Sequence, residues 1–201
     1  MITENEFKVA ADLIGCEINV IKAVYYVEAA GRGYLPDKRV KILFEGHRFW
    51  KNLQKAGADP QAFIKANPGY SNVLYKFWDK KQYKGGAFEW MRMSLAIEVC
   101  NKLGVPTECA MDSASYGSFQ ILGENSVACG YATAHEMIAA YNNGGEAEQL
   151  NSFVRFVKAT GLDDELRAKN WAAFAKGYNG TAFRLNKYDT KLANQYLKYS
   201  R

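Results

Sequence analysis

The sequence predicts one mainly α-helical domain with a single small β-element, an α+β arrangement in which helices dominate. Three observations carry this reading. Helix-start signals recur: Thr3 with Glu6 and Thr133 with Glu136 read as capping boxes, and Asp59 before Pro60 offers a cap with proline in the first turn. Glycines stand where those helices would stop, at Gly31, Gly57, Gly85, Gly86, Gly104, Gly144, Gly145, Gly161 and Gly177. Only Arg39 to Phe44, after a turn at Pro36-Asp37, has the β-branched and aromatic content of a short strand.

In chain order, helices are expected near 4–15, 17–30, 46–56, 60–66, 71–82, 87–103, 133–142, 146–160, 163–176 and 188–199. The first begins at the Thr3 cap. The second carries Ile18, Ile21, Val24 and Tyr25 on one half of its wheel and runs into Gly31. The segment 60–66 follows Asp59-Pro60, and 133–142 runs from its own capping box to Gly144-Gly145. Between them, Ser113 to Ile121 is rich in small residues and broken by Gly117, so it reads as a loop or bent segment. The chain has 201 residues, 48% hydrophobic and 14% aromatic, which suits one well-packed domain over 1–201 without internal repeats.

Composition excludes several function classes. Cys16, Cys100, Cys109 and Cys129 are widely spread with no C-x-x-C pair, and free thiols are expected. With only His47 and His135, multi-histidine metal motifs are absent, so neither a metal nor a cofactor is expected. The net charge of +5 suits a polyanionic partner, but the basic residues form no stripe or motif for nucleic acid. No apolar run approaches a bilayer span, and the N-terminal residues lack the pattern of an export signal, so a soluble cytoplasmic protein without membrane insertion is expected.

Chemistry concentrates around Glu28. At about 100° per residue it projects between Ile21 and Val24, on the apolar arc of the second helix. Burial and the negative end of a helix both favour its protonated form, which is what a general acid needs. The alternative is a structural glutamate paired with a cation such as Arg32. Two further carboxylates, Asp37 and Glu45, flank the expected strand, nine and seventeen residues after Glu28. A hairpin there would bring either one across a cleft, as glycoside hydrolysis requires.

The stretches "AVYYVEAAGRGYLPDKRVKILFEGHRFW", "ASYGSFQILG" and "GYNGTAF…YDTKLA" resemble, in matching order from Ile18 to Leu192, the N-acetylmuramidase domain of endolysins from phages of Gram-negative bacteria. That domain belongs to the lysozyme superfamily. The resemblance implies a lysozyme-like fold with a β-hairpin beside a cleft. It implies cleavage of the β-1,4 bond between N-acetylmuramic acid and N-acetylglucosamine, with Glu28 as acid. It also implies Glu45 as second carboxylate, by analogy with plant-type chitinases. Asp37 ranks behind it, by analogy with the spacing in small coliphage-type lysozymes. Tyr116, Gln120, Tyr178 and Asn179 would contact the glycan, although Tyr178-Asn179-Gly180 reads equally as a helix C-cap.

Two departures from the family stand out. Gly46 replaces a usual arginine, so any charge partner for Glu45 must come from Arg48 or His47. Tyr116 replaces a usual tryptophan. A separate wall-binding module is not expected, nor is any partner beyond Gram-negative peptidoglycan; the protein is expected to act as a monomer. Expected localisation is the host cytoplasm until release, then the cell wall in the periplasm. Alternatives are a lytic transglycosylase forming 1,6-anhydro ends with Glu28 alone, and a non-catalytic glycan-binding or phage structural protein.

Overall fold

The computed structural model describes residues 2–29 and 32–200; Ala30 and the expected helix stop at Gly31 lie outside the described residues. The first two helices, α1 (Glu4–Ile14) and α2 (Ile18–Ala29), are followed by strand β1 (Ile42–Phe44). Next come α3 (Gly46–Lys55), α4 (Pro60–Ala66), α5 (Ala87–Leu103) and the short α6 (Glu108–Met111). Strands β2 (Ala114–Tyr116) and β3 (Ile121–Leu122) lead into α7 (Ala134–Ala159). The chain ends in α8 (Asp163–Arg167), α9 (Trp171–Asn179) and α10 (Tyr188–Tyr199).

Local chemistry accounts for the helix starts. Thr3 and Glu6 form the full reciprocal box, with the Thr3 amide donating to the Glu6 carboxylate at 2.6 Å. Asp59 accepts the Ala62 amide at 3.0 Å with Pro60 in the first turn. Thr133 accepts the Glu136 amide, while the Glu136 carboxylate reaches one residue further back, to the Ala132 amide. Each cap satisfies a donor that the helix itself leaves open.

Three expected elements differ. Residues 71–82 form no α-helix, because Asn72 and Tyr75 are held by Arg92: its guanidinium donates to the Asn72 carbonyl at 3.1 and 3.2 Å and to the Tyr75 hydroxyl at 3.1 Å. A helix would need that carbonyl for the Lys76 amide. The expected 163–176 helix breaks at Lys169, in the left-handed region at φ 54°, and restarts where Asn170 accepts the Ala173 amide. The expected break between 133–142 and 146–160 is present: within α7, Gly145 takes a non-helical φ of 67° and divides the run into two helical halves. The stretch 113–121 carries β2 and β3 as a hairpin against β1, giving a three-stranded antiparallel sheet with Ile42 opposite Tyr116 and Tyr116 opposite Ile121.

The core runs between sheet and helices. Phe119 stacks on Phe153 with ring centroids 4.6 Å apart, and Tyr25 closes on Phe119 at 5.8 Å. Helix α2 is packed between α1 and α10, and α10 also lies on α9. This brings the carboxyl ends of α2 and α9 together with the start of α10. Across from them, β1 delivers the chain into α3.

That delivery is pinned by a buried ion pair. Glu89 and Arg92, 0% and 3% exposed, pair at 2.7 Å on α5. Glu89 accepts the Phe44 amide at 3.1 Å and Arg92 donates to the Phe44 carbonyl at 2.9 Å. Glu89 also accepts the Lys84 and Gly85 amides. Replacing Arg92 with methionine strands the Glu89 charge, which is expected to cost about 3–5 kcal/mol. A thermal melt should fall by roughly 10 °C or more; an unchanged melt would remove the pair from its structural role.

Candidate active site

Glu28 lies in the last turn of α2, on the face its apolar neighbours bury. Its hydrogen-bond partner is Asn179, the last residue of α9, whose side-chain amide donates to Oε1 at 3.1 Å. Arg32, the cation that a structural role would have used, stands exposed. Burial pushes the Glu28 carboxyl up to about 7, against the opposing pull of the Asn179 hydrogen bond and of the Lys191 charge. Near neutral pH the group is therefore divided between its acid and its anion. The Asn179 Oδ1 is buried and has no hydrogen-bond partner among the described residues.

Glu45 occupies the position just before α3 but caps none of its amides. Its backbone amide is tied to the Ser113 carbonyl at 2.9 Å, and its side chain faces Arg48 Nε and His47 Nε2, each at 3.3 Å. Arg48 also reaches Glu124 at 2.6 Å. Burial raises the Glu45 pKa and Arg48 opposes it. His47 is pushed down to about 4 by burial and by the Arg48 and Lys51 charges, so it is neutral at neutral pH. The two partners that replace the family's usual arginine are thus Arg48 and His47. Gly46 itself admits no side chain: a Cβ there would overlap the Tyr75 ring and the Val73 carbonyl, and its amide donates to the Tyr75 hydroxyl at 3.1 Å.

Tyr188, at the start of α10, relates the two carboxylates. Burial pushes its hydroxyl up to about 12, and the negative charges of Glu28 and Glu45 act in the same direction. Tyr188 is thus within electrostatic reach of both acids. The residue lies in the Y-D-T-K-L-A stretch, where an aromatic opening a helix was the only signal of its place.

The other expected site residues take different positions. Asp37 sits exposed on the turn before Val40, where Arg39 grips it at 2.6 and 2.9 Å and holds its carboxyl below the usual range. Tyr116 is fully buried, with its hydroxyl donating to the Met111 carbonyl at 2.7 Å, so it keeps no ring face for a sugar. Its place on the middle strand turns it into the core, and this corrects the expected glycan contact. Tyr178 stacks on Phe174 at 5.2 Å and donates its hydroxyl to the Phe119 carbonyl at 2.6 Å, so its ring is committed to packing and its hydroxyl to the β2–β3 turn. Gln120 spends its amide on the same turn, accepting from Ser115 at 3.0 Å and donating to the Gly117 carbonyl at 2.7 Å. Of the four expected glycan contacts, Asn179 is the one hydrogen-bonded to Glu28.

The family model of the N-acetylmuramidases matches residues 17–200. The chain is also similar to the Burkholderia AP3 phage endolysin in its crystal structure, at 35% identity, covering 100% of this chain and 72% of that one with a TM-score of 0.82. No curated protein matches.

The raised Glu28 pKa has a stability consequence. A carboxyl whose folded pKa lies above its unfolded value is stabilising below about pH 4.5 and loses that contribution as pH rises through about 7. Glu28→Gln should therefore melt several degrees higher than the parent at pH 8, a gain on the order of 2 kcal/mol, with the difference shrinking towards pH 5. Equal gains at both pH values would contradict a charged group held against its desolvation cost.

Proposed function

We propose, from the premise that the chain belongs to the N-acetylmuramidase family, that Glu28 and Glu45 are the two carboxylates with which it cleaves peptidoglycan. The protein is a lysozyme-type glycoside hydrolase acting on peptidoglycan, an endolysin by family and by structural kinship. The observation that carries the site assignment is the Glu28 carboxyl, half-buried at a helix end beside Asn179, with its pKa pushed up to about 7.

Glu28 acts as general acid. Asn179 holds Oε1, which leaves Oε2 to carry the proton towards the glycosidic oxygen as the bond to the leaving sugar breaks. The free Asn179 Oδ1 is positioned to accept a hydrogen bond from a sugar N–H or hydroxyl. Glu45, with Arg48 favouring its anion, activates water or stabilises the positive charge that develops on the ring. At Glu28 burial is opposed by the neutral Asn179 amide and the Lys191 charge, whereas at Glu45 it is opposed by the charge and hydrogen bond of Arg48, so the environment of Glu28 favours the proton more. Asp37 ranks second, since Arg39 already neutralises it on an exposed turn.

The natural substrate is the Gram-negative wall, a reading supported by the Burkholderia phage neighbour. Among the described residues no helix is long and apolar enough to cross a membrane. By kinship with a phage endolysin, the enzyme is read as accumulating in the host cytoplasm until release, acting on the wall in the periplasm, and working as a monomer. Its charge of +5 helps it dwell on an anionic envelope.

The test is mass spectrometry of fragments released from purified sacculi. Reducing N-acetylmuramic acid ends are expected; 1,6-anhydro ends would move the chemistry to a transglycosylase. Glu28→Gln and Glu45→Gln should each lower turnover by about 10²–10⁴ with the fold retained, while Asp37→Asn stays within a few-fold. Loss with Asp37→Asn and not with Glu45→Gln would exchange their roles. Activity should fall on the alkaline side, with a midpoint near the Glu28 value of about 7. A profile still rising at pH 9 would exclude Glu28 as the acid.

A further inference from the structure

Beyond Glu45, the surface opens into a groove of about 410 Å³ that the catalytic reading does not use. One wall is a face of α3 carrying His47, Trp50 and Lys51; the other is the irregular segment with Lys76, Phe77 and Trp78. The groove adjoins the candidate active site through His47, whose Nε2 lies 3.3 Å from the Glu45 carboxylate.

Its composition is unusual for a solvent-facing surface. Phe77 and Trp78 are 75% and 58% exposed, on a segment whose neighbours Val73 and Leu74 are buried. Trp78 is braced edge-on by Tyr83 at 6.4 Å, and the Lys76 ammonium lies 5.6 Å from the Phe77 ring centre. Apolar rings left in water at this cost favour a partner with flat C–H faces. Two of the lining residues, His47 and Trp50, each hold a buried ring nitrogen without a hydrogen-bond partner among the described residues. The charged groups lining the groove, Lys51 and Lys76, are both basic.

We propose that this groove is an accessory subsite for a peptide-bearing amino-sugar of the glycan strand. The sugar faces pack on Trp78 and Phe77, and the stem-peptide carboxylates pair with Lys51 and Lys76. Sugar rings supply flat C–H faces, which suits the exposed aromatic walls at Phe77 and Trp78. Carboxylates on the stem complement the two ammonium groups. This inference rests on the peptidoglycan reading above, and it extends the bound strand past the bond that is cut.

The experiment uses Glu28→Gln protein, so that sacculi remain intact, and measures cosedimentation with purified, lipid-free sacculi. Adding Phe77→Ala with Trp78→Ala should weaken binding about tenfold or more, the loss expected when two stacked rings no longer bury apolar area. Adding Lys51→Gln with Lys76→Gln should weaken binding several-fold on intact sacculi. That lysine effect should disappear on glycan strands freed of stem peptides by an amidase, whereas the aromatic effect should persist. Binding of the aromatic variant equal to that of its parent would overturn the subsite. An equal lysine effect on stripped and intact strands would overturn stem recognition. If the aromatic variant keeps its grip on sacculi but loses binding to phosphatidylglycerol-containing vesicles, the groove faces lipid and the proposal fails. Fragment release by the unmodified protein separates the two readings. Normal cleavage with unaffected sacculus binding sinks the groove alone, while groove-dependent binding without cleavage sinks the catalytic assignment alone.

Discussion

The geometry of the site depends on one buried ion pair. Glu89 and Arg92 stand one turn apart on α5 and between them take both backbone hydrogen-bonding groups of Phe44, the residue before Glu45. A charged pair with almost no solvent contact is favourable only when its remaining donors and acceptors are satisfied. Here they are, by the Phe44 backbone, the Asn72 carbonyl, the Tyr75 hydroxyl and the Lys84 and Gly85 amides. The clamp therefore joins the end of β1 and two irregular stretches to one helix. Tyr75, held by Arg92, in turn receives the Gly46 amide, so the first residue of α3 is anchored from the same source.

On the opposite side of the cleft, rigidity comes from packing. Tyr178 stacks on Phe174, meets Phe153 and Phe156 edge-on, and donates to the Phe119 carbonyl. That places Asn179, the next residue, against Glu28. The motif glutamine works in the same way, since Gln120 closes the turn whose Phe119 carbonyl receives Tyr178. Tyr178 and Gln120, which read as sugar contacts, thus hold the turn and helix end that set Asn179 against Glu28.

Much of this was legible in the sequence wherever the cause was local. The capping residues, the glycine-ended helices and the apolar arc that includes Glu28 follow from neighbours a few positions away. What was not legible depends on distant partners. The segment 71–82 has a helical composition, but Arg92, some twenty residues on, takes the Asn72 carbonyl. Tyr116 reads as a glycan platform by analogy with tryptophan, yet pairing on both sides, with Ile42 and Ile121, makes its strand the central one. Gly46 reads as a lost arginine, and only the nearness of Tyr75 and Val73 explains why no side chain fits. Tyr188 was invisible as a site residue because its relevance lies in two acids more than 140 positions earlier.

The same separation of causes divides labour between the two acids. Glu28 comes from a helix end and meets a neutral amide, so burial decides its charge state. Glu45 follows a strand, with its backbone tied to Ser113 and its side chain to a guanidinium that is itself shared with Glu124. A cation that divides its charge between two carboxylates stabilises each less than a dedicated partner would. On the proposed assignment, Glu45 would then be the carboxylate left to respond to positive charge forming on a bound sugar. Two glutamates of the same intrinsic acidity are set apart by what packs around them, which is the condition for one to give a proton while the other meets the resulting charge.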